Sequence, residues 1–176
     1  PIKRRKYSEP KVISAEKDKK SDKNRRNTQN RMLIVDGYNV IHSWESLSDI
    51  AKFSLEKARE TLMDILSSYV AYTKTELVLV FDAYLVKDGQ GSDFLKDGYR
   101  VVFTKQDQTA DTFIEKMMDE LGPDYNIRVV TSDRLLQFSA VHSGILRMTA
   151  KEFEAEVTSV GNEITEFVNK LAENNS

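Results

Sequence analysis

The chain has 176 residues, 40% of them hydrophobic and 31% charged, enough for one domain core and a tail. It has no cysteine and only two histidines, His42 and His142, which excludes disulfides, cysteine-ligated zinc and histidine-rich metal centres. No apolar run reaches the roughly eighteen residues of a membrane span and no signal-peptide core stands near the N-terminus, so a cytoplasmic protein is expected. The net charge of −2 conceals a division, because residues 1–31 carry 12 Lys and Arg against 4 Asp and Glu, and residues 32–176 carry 14 against 24. Residues 1–31 lack apolar periodicity and read as a disordered or only locally ordered arm. Their charge suits a polyanionic partner or a solvated linker. The chain opens at Pro1 rather than Met, as a piece of something longer would.

From residue 32 onward strand and helix signals alternate. MLIVD (Met32–Asp36) is a short apolar run ending at Asp-Gly and predicts a buried strand. Ser54–Tyr72 follows with Leu55, Ala58, Leu62, Ile65, Leu66 and Tyr69 at helical spacing behind a Ser54 N-cap. ELVLVFD (Glu76–Asp82) is apolar throughout, as strands covered on both faces are. Ala83–Gly98 contains three glycines and mixed charges and reads as a loop with room for one helical turn. YRVVFT (Tyr99–Thr104) predicts a third strand, and Thr109–Leu121 a helix with Phe113, Met117 and Leu121 in one row, stopped by Gly122-Pro123. Ile127–Ser132 predicts a strand, Asp133–His142 a short helix, Gly144–Met148 a fifth strand and Thr149–Asn169 a last helix. This alternation predicts an α/β fold, a mainly parallel sheet of about five strands sandwiched between helices.

In open α/β sheets, sites form beyond the carboxyl ends of the strands. Asp36 ends the first strand, Asp82 the second, and Asp133 follows the fourth. Asp111 opens the helix after the third strand, and Glu115 is on the same face one turn on. Gathered carboxylates repel one another unless a cation neutralises them. An all-oxygen set of this kind suits Mg²⁺ or Mn²⁺, whose usual work at such edges is phosphodiester or phosphoryl chemistry. No Walker A sequence, G-x-S-x-G or G-x-G-x-x-G offers a competing catalytic kit. Singly, each residue has an ordinary role: Asp36-Gly37 and Asp82 as strand-ending turns, Asp111 as a helix-dipole partner, Ser132 or Asp133 as an N-cap, Glu115 as a solvated side chain. Asp107, one turn before Asp111, reads as structural. The common edge makes the joint reading the stronger one.

VDGYNVI (Val35–Ile41), VFDAY (Val80–Tyr84), TADTFIE (Thr109–Glu115) and VVTSD (Val129–Asp133) resemble, in order and spacing, the signatures of the YacP-type NYN domain, a PIN-like nuclease family. The resemblance covers about residues 32–170. It implies a PIN-like Rossmannoid sandwich and Mg²⁺- or Mn²⁺-dependent RNA endonucleolysis, in bacterial relatives linked to ribosome-associated mRNA cleavage. Asp36, Asp82, Asp111 and Asp133 fall on the acidic motif positions, Glu115 fits a helix position, and Asn39 matches the Asn that orders the first Asp. Upstream, KRRKYSEPKV (Lys3–Val12) resembles the junction in translational GTPases of the ribosomal-protection type that carry a C-terminal NYN domain. That implies that the chain is the tail of a longer protein.

An acidic body repels RNA, so local cations must provide the grip. Lys87, Lys96 and Arg100 around the glycine-rich loop, Lys105 before the acidic helix and Arg134 beside Asp133 are the candidates. Tyr38, Tyr84 and Tyr99 are candidates for base stacking, with a core position the preferred reading of Tyr99. Trp44 and His142 read as structural, and His42 as a loop histidine or a phosphate contact. So few cations imply that a ribosome supplies both the RNA and its position. The competing functions are a non-catalytic RNA- or ribosome-binding module and a phosphatase or flap-type DNA nuclease.

Overall fold

The computed structural model describes residues 30–83 and 90–176. The elements run in the order β1 (Asn30–Asp36), α1 (Gly37–Ser43), α2 (Glu45–Ala51), α3 (Leu55–Thr73), β2 (Glu76–Phe81), β3 (Ser92–Lys96), β4 (Tyr99–Phe103), α4 (Ala110–Leu121), β5 (Tyr125–Val130), α5 (Arg134–His142), β6 (Leu146–Met148) and α6 (Ala150–Asn174). The strands form one six-stranded sheet in the order β3-β4-β2-β1-β5-β6. Every neighbouring pair is parallel except β3 with β4.

The central strands are apolar at consecutive positions because both their faces are covered. Leu33 and Val35 of β1 and Leu77, Leu79 and Phe81 of β2 pack with Leu62 and Leu66 of α3 and Phe153 of α6. Ile34, Val78, Val80, Val102 and Val129 point to the opposite face, onto Ile114, Met117 and Met118 of α4 and Leu136 of α5. The result is the expected three-layer α/β/α sandwich. Helix starts follow the sequence signals: the Ser54 hydroxyl accepts from the Lys57 N–H at 3.1 Å, and Thr109 and Thr149 cap α4 and α6 in the same way.

Three features depart from the sequence expectations. The segment read as a loop contains β3, which adds a sixth, antiparallel strand through a tight turn at Asp97 (φ 48°) and Gly98 (φ 86°). Two positive φ values in succession are what a two-residue hairpin needs to match strand twist. Between Asp36 and Ser54, where no element was expected, α1 and α2 fold back over the sheet. Their junction is pinned by Trp44, whose buried indole N–H donates to the Ala150 carbonyl at 2.7 Å. The last helix also runs on to Asn174, leaving Phe167, Val168 and Leu171 exposed near its end.

Candidate active site

The strand order reverses about β1: β2 and β4 lie to one side, β5 and β6 to the other. Such a switch point opens a crevice at the carboxyl ends of the two strands that flank it, here β1 and β5. Asp36 is the last residue of β1 and is 8% exposed. One of its carboxylate oxygens accepts a hydrogen bond at 3.1 Å from the hydroxyl of Thr131, which follows β5 and is itself buried. The Asn39 backbone N–H also donates to this carboxylate, while the Asn39 side-chain oxygen accepts from the Ser132 N–H at 2.8 Å. Asn39 thus ties the β1 end to the β5 end.

Burial is the main reason that the Asp36 pKa rises, from an ordinary 3.8 to about 6. Asp111 and Asp133 push it further up, against the lowering effect of the Thr131 and Asn39 hydrogen bonds. Asp111, half-buried on the first turn of α4, is also raised, by burial first and then by Asp133, Glu115 and Asp82. Five carboxylates from four separated stretches of chain therefore feel one another at one edge of the sheet. The acidic residues singled out in the sequence share that edge, near enough to influence one another.

Three of them also do structural work. Asp133 caps α5, accepting from the N–H groups of Leu135 and Leu136, both at 3.0 Å. Asp82 accepts from the Ala110 N–H at 3.2 Å, which fixes the start of α4. Glu115, exposed, accepts from the Ser139 hydroxyl at 3.1 Å and joins α4 to α5. The chemistry of the donor set fits a hard divalent cation. Among the described residues, however, no three Asp, Glu or His side chains converge as ligands.

The residues expected to hold RNA are more scattered. Arg134 is exposed on the first turn of α5, next to Asp133, and Lys105 is exposed just beyond β4, at the carboxylate edge. Lys96 is not at that edge: the β3–β4 reversal carries it to the opposite end of the sheet, within 3.9 Å of Asp64 and 3.8 Å of Asp97. Arg100 is committed to Asp93 by two hydrogen bonds of 2.8 and 2.6 Å and lies over the Phe113 ring. Tyr38 offers no open ring for stacking, because it is buried against Phe81 with centroids 5.0 Å apart. Tyr99 is in the core, with its hydroxyl donating to the Met63 carbonyl at 2.7 Å. Trp44 is a packing residue, as read. His142 is exposed and stacks on Phe138, and His42 is exposed at the end of α1. Asp107 is exposed before α4. Tyr84 and Lys87 lie outside the described residues.

Two residues of this region are not among those singled out in the sequence. Thr131 looks like an ordinary strand residue there, yet its hydroxyl holds Asp36. Arg59 sits in the apolar row Leu55, Leu62, Leu66 of α3, a basic residue where the helix faces inward, and that misfit is its only sequence signal. Its guanidinium donates to the Tyr38 hydroxyl at 3.1 Å.

Comparison with known proteins agrees with this architecture. The family model of the YacP-like NYN domain matches residues 33–176. YacP of Bacillus subtilis (strain 168) is 38% identical over 143 residues, which make up 80% of this chain and 82% of the relative. The crystal structure of Rae1 (YacP) from Bacillus subtilis superposes with a TM-score of 0.71 at 36% identity, covering 82% of this chain and 83% of that one. A crystal structure of a point mutant of the same Bacillus subtilis protein gives 0.69 at 34% identity, covering 81% and 84%. With the family model spanning residues 33–176 and both fold and sequence shared with YacP, the chain belongs to the YacP-like NYN domain family, a nuclease-type family.

Proposed function

We propose that this chain is an endoribonuclease dependent on Mg²⁺ or Mn²⁺, acting on mRNA in a ribosome-associated context. The observation that carries the reading is Asp36: a buried carboxyl at the topological switch point, raised to about 6 by burial and by neighbouring Asp111 and Asp133. A carboxyl in that setting costs stability in its ionised form, and a cost retained at a cleft is a mark of function. Asp36, Asp111 and Asp133, with Glu115 beside them, are the residues that would hold the cation. Bound there, it would neutralise the carboxylates and stabilise the negative charge that builds on the phosphate during displacement.

The chain's own residues prepare that step. Thr131 and the Asn39 N–H fix the direction of the Asp36 carboxylate. The α4 N-terminus is held on Asp82, so Asp111 enters the cleft from a rigid first turn. Arg134 and Lys105 flank the edge with positive charge that can hold the RNA backbone. The body away from the arm carries 14 basic against 24 acidic residues. Weak intrinsic attraction for free RNA follows, which supports delivery of the message by a larger particle.

A second reading stands on the spacing of the carboxylates, no three of which converge as ligands among the described residues: a non-catalytic module that binds RNA or ribosomes. One experiment separates the two. Wild type, Asp36→Asn and Asp111→Asn are incubated with RNA, with and without ribosomes, in Mg²⁺, Mn²⁺ or chelator. The nuclease reading expects metal-dependent cleavage that falls by orders of magnitude in both variants. Undiminished cleavage in either variant or in chelator would refute it, and ribosome association without cleavage under any metal would select the binding module.

A further inference from the structure

We infer that Arg59 is a phosphate-binding cation of this cleft, placed to take a backbone phosphate of single-stranded RNA next to the carboxylate edge. The inference rests on the nuclease reading for its substrate and on independent geometry for its position. Three neighbours locate the guanidinium. It occupies the first turns of α3, the helix that runs down into β2 and therefore begins at the carboxyl end of the sheet. Its partner Tyr38 is two residues beyond Asp36. Its Cζ lies 5.9 Å from the ring centroid of Phe103, the last residue of β4.

The arginine is held by groups that leave its charge available. Phe103 stacks on Phe81, with centroids 5.2 Å apart, and Phe81 packs on Tyr38. Together the three rings make a rigid apolar cushion under the guanidinium. A guanidinium has five N–H donors, and the Tyr38 hydroxyl takes one of them. No carboxylate within ion-pair distance takes the others among the described residues. The other half-buried arginines are spent: Arg100 on Asp93 and Arg128 on Glu156 at 3.1 Å. In a body with so large an acidic excess, a half-buried arginine packed on aromatic rings and left without an acid partner is out of place as a structural element. As a pre-aimed fork for a phosphate it is in place.

Tyr38 connects it to the chemistry. The tyrosine hydroxyl feels both the Arg59 guanidinium and the Asp82 carboxylate. Arg59 belongs to α3, on the face of the sheet opposite α4 and α5, the helices of Asp111, Glu115 and the cap residue Asp133. A strand of RNA whose scissile phosphate faces Asp36 and Asp111 would pass a neighbouring phosphate over Arg59. That arrangement gives positive charge to the backbone without lowering the repulsion that the carboxylate cluster needs for a cation.

The test is the affinity of the full chain for a short single-stranded RNA in Mg²⁺, measured across salt in an Asp36→Asn background so that the RNA persists. Arg59→Met keeps the aliphatic stem on Phe103, and Arg59→Gln keeps a hydrogen bond to Tyr38. Whichever variant is folded by circular dichroism is used. Loss of a charge-assisted phosphate contact predicts a rise in Kd of about tenfold or more. It also predicts a shallower dependence of log K on log salt, by about 0.7 for one phosphate on a single strand. A purely structural arginine would leave that slope unchanged, so an unchanged Kd and slope overturn the inference while leaving the nuclease reading intact. RNA that fails to bind even with Arg59 present overturns the inference as well. Absence of cleavage by the wild-type chain in any metal, with and without ribosomes, overturns the nuclease reading instead, and the Arg59 slope can still be read in that case because the RNA persists.

Discussion

Replacing Asp36 with Asn should make the protein more stable and inactive at once. Folding moves the Asp36 pKa from 3.8 to about 6. Between those values the folded state keeps a proton that the unfolded chain has lost. Stability therefore falls as pH rises through that window, and above pH 6 the whole cost is present. A displacement of that size corresponds to about 3 kcal/mol at neutral pH. Asn avoids the charge and can still accept from Thr131 and from the Asn39 N–H, but its amide N–H₂ needs an acceptor, at about 1–2 kcal/mol if none is found. The net gain expected is about 1–2 kcal/mol, or a Tm higher by about 3–6 °C for a domain of this size. The measurement is thermal unfolding of both proteins in chelator at pH 7.5 and again at pH 4, where the wild-type carboxyl is protonated and the gain should vanish. Mg²⁺ added at pH 7.5 should raise the Tm of the wild type more than that of the variant, because only the wild type gains a charge partner. A variant less stable than wild type at pH 7.5 in chelator, or a difference that ignores pH, would refute the reasoning.

Other substitutions separate the structural from the chemical duties of the same residues. Asp133→Asn keeps the α5 cap and should leave urea stability within a few tenths of a kcal/mol, while Asp133→Ala should lose about 0.5–2 kcal/mol; both should lose cleavage in an RNA assay. Thr131→Val removes the hydroxyl that holds Asp36, so the Asp36 pKa should rise further and the acid limb of the pH–rate profile should move to higher pH. A Cβ at Gly37 would run into the Phe81 ring and lie 3.0 Å from the Val80 carbonyl oxygen, so Gly37→Ala should cost about 1–3 kcal/mol by denaturant unfolding. Trp44→Phe removes the indole N–H bond to the Ala150 carbonyl, which keeps its place in the α6 ladder, and should cost about 0.5–1.5 kcal/mol with the metal requirement unchanged.

The parts of this molecule that were legible in sequence are those whose signals are local. Asp36, Asp82 and Asp133 could be read because each stands where an apolar run ends, and Asp111 because it opens the helix that follows the third strand. β3 was missed for the opposite reason. As an edge strand it has four exposed residues of five and shows no apolar alternation, although Asp97-Gly98 was a hairpin turn in plain view. That omission also misplaced Lys96, since a reversal of direction sends a side chain to the far end of the sheet. Helices α1 and α2 have seven residues each, too short for a helical period to emerge. Thr131 and Arg59 could not be found locally, because their partners Asp36, Tyr38 and Phe103 are brought to them by packing alone.

The lacing of the β1 and β5 ends, Thr131 to Asp36 and Ser132 to Asn39, joins residues 95 and 93 positions apart. Contacts of that span are made late, after the loops between them have closed. No peptide excised around any one motif can hold the cleft in shape, and neither can a chain still emerging with β5 unmade. The cleft takes shape only once β5 has joined β1. The order in which the strands must meet therefore sets when the cleft first exists.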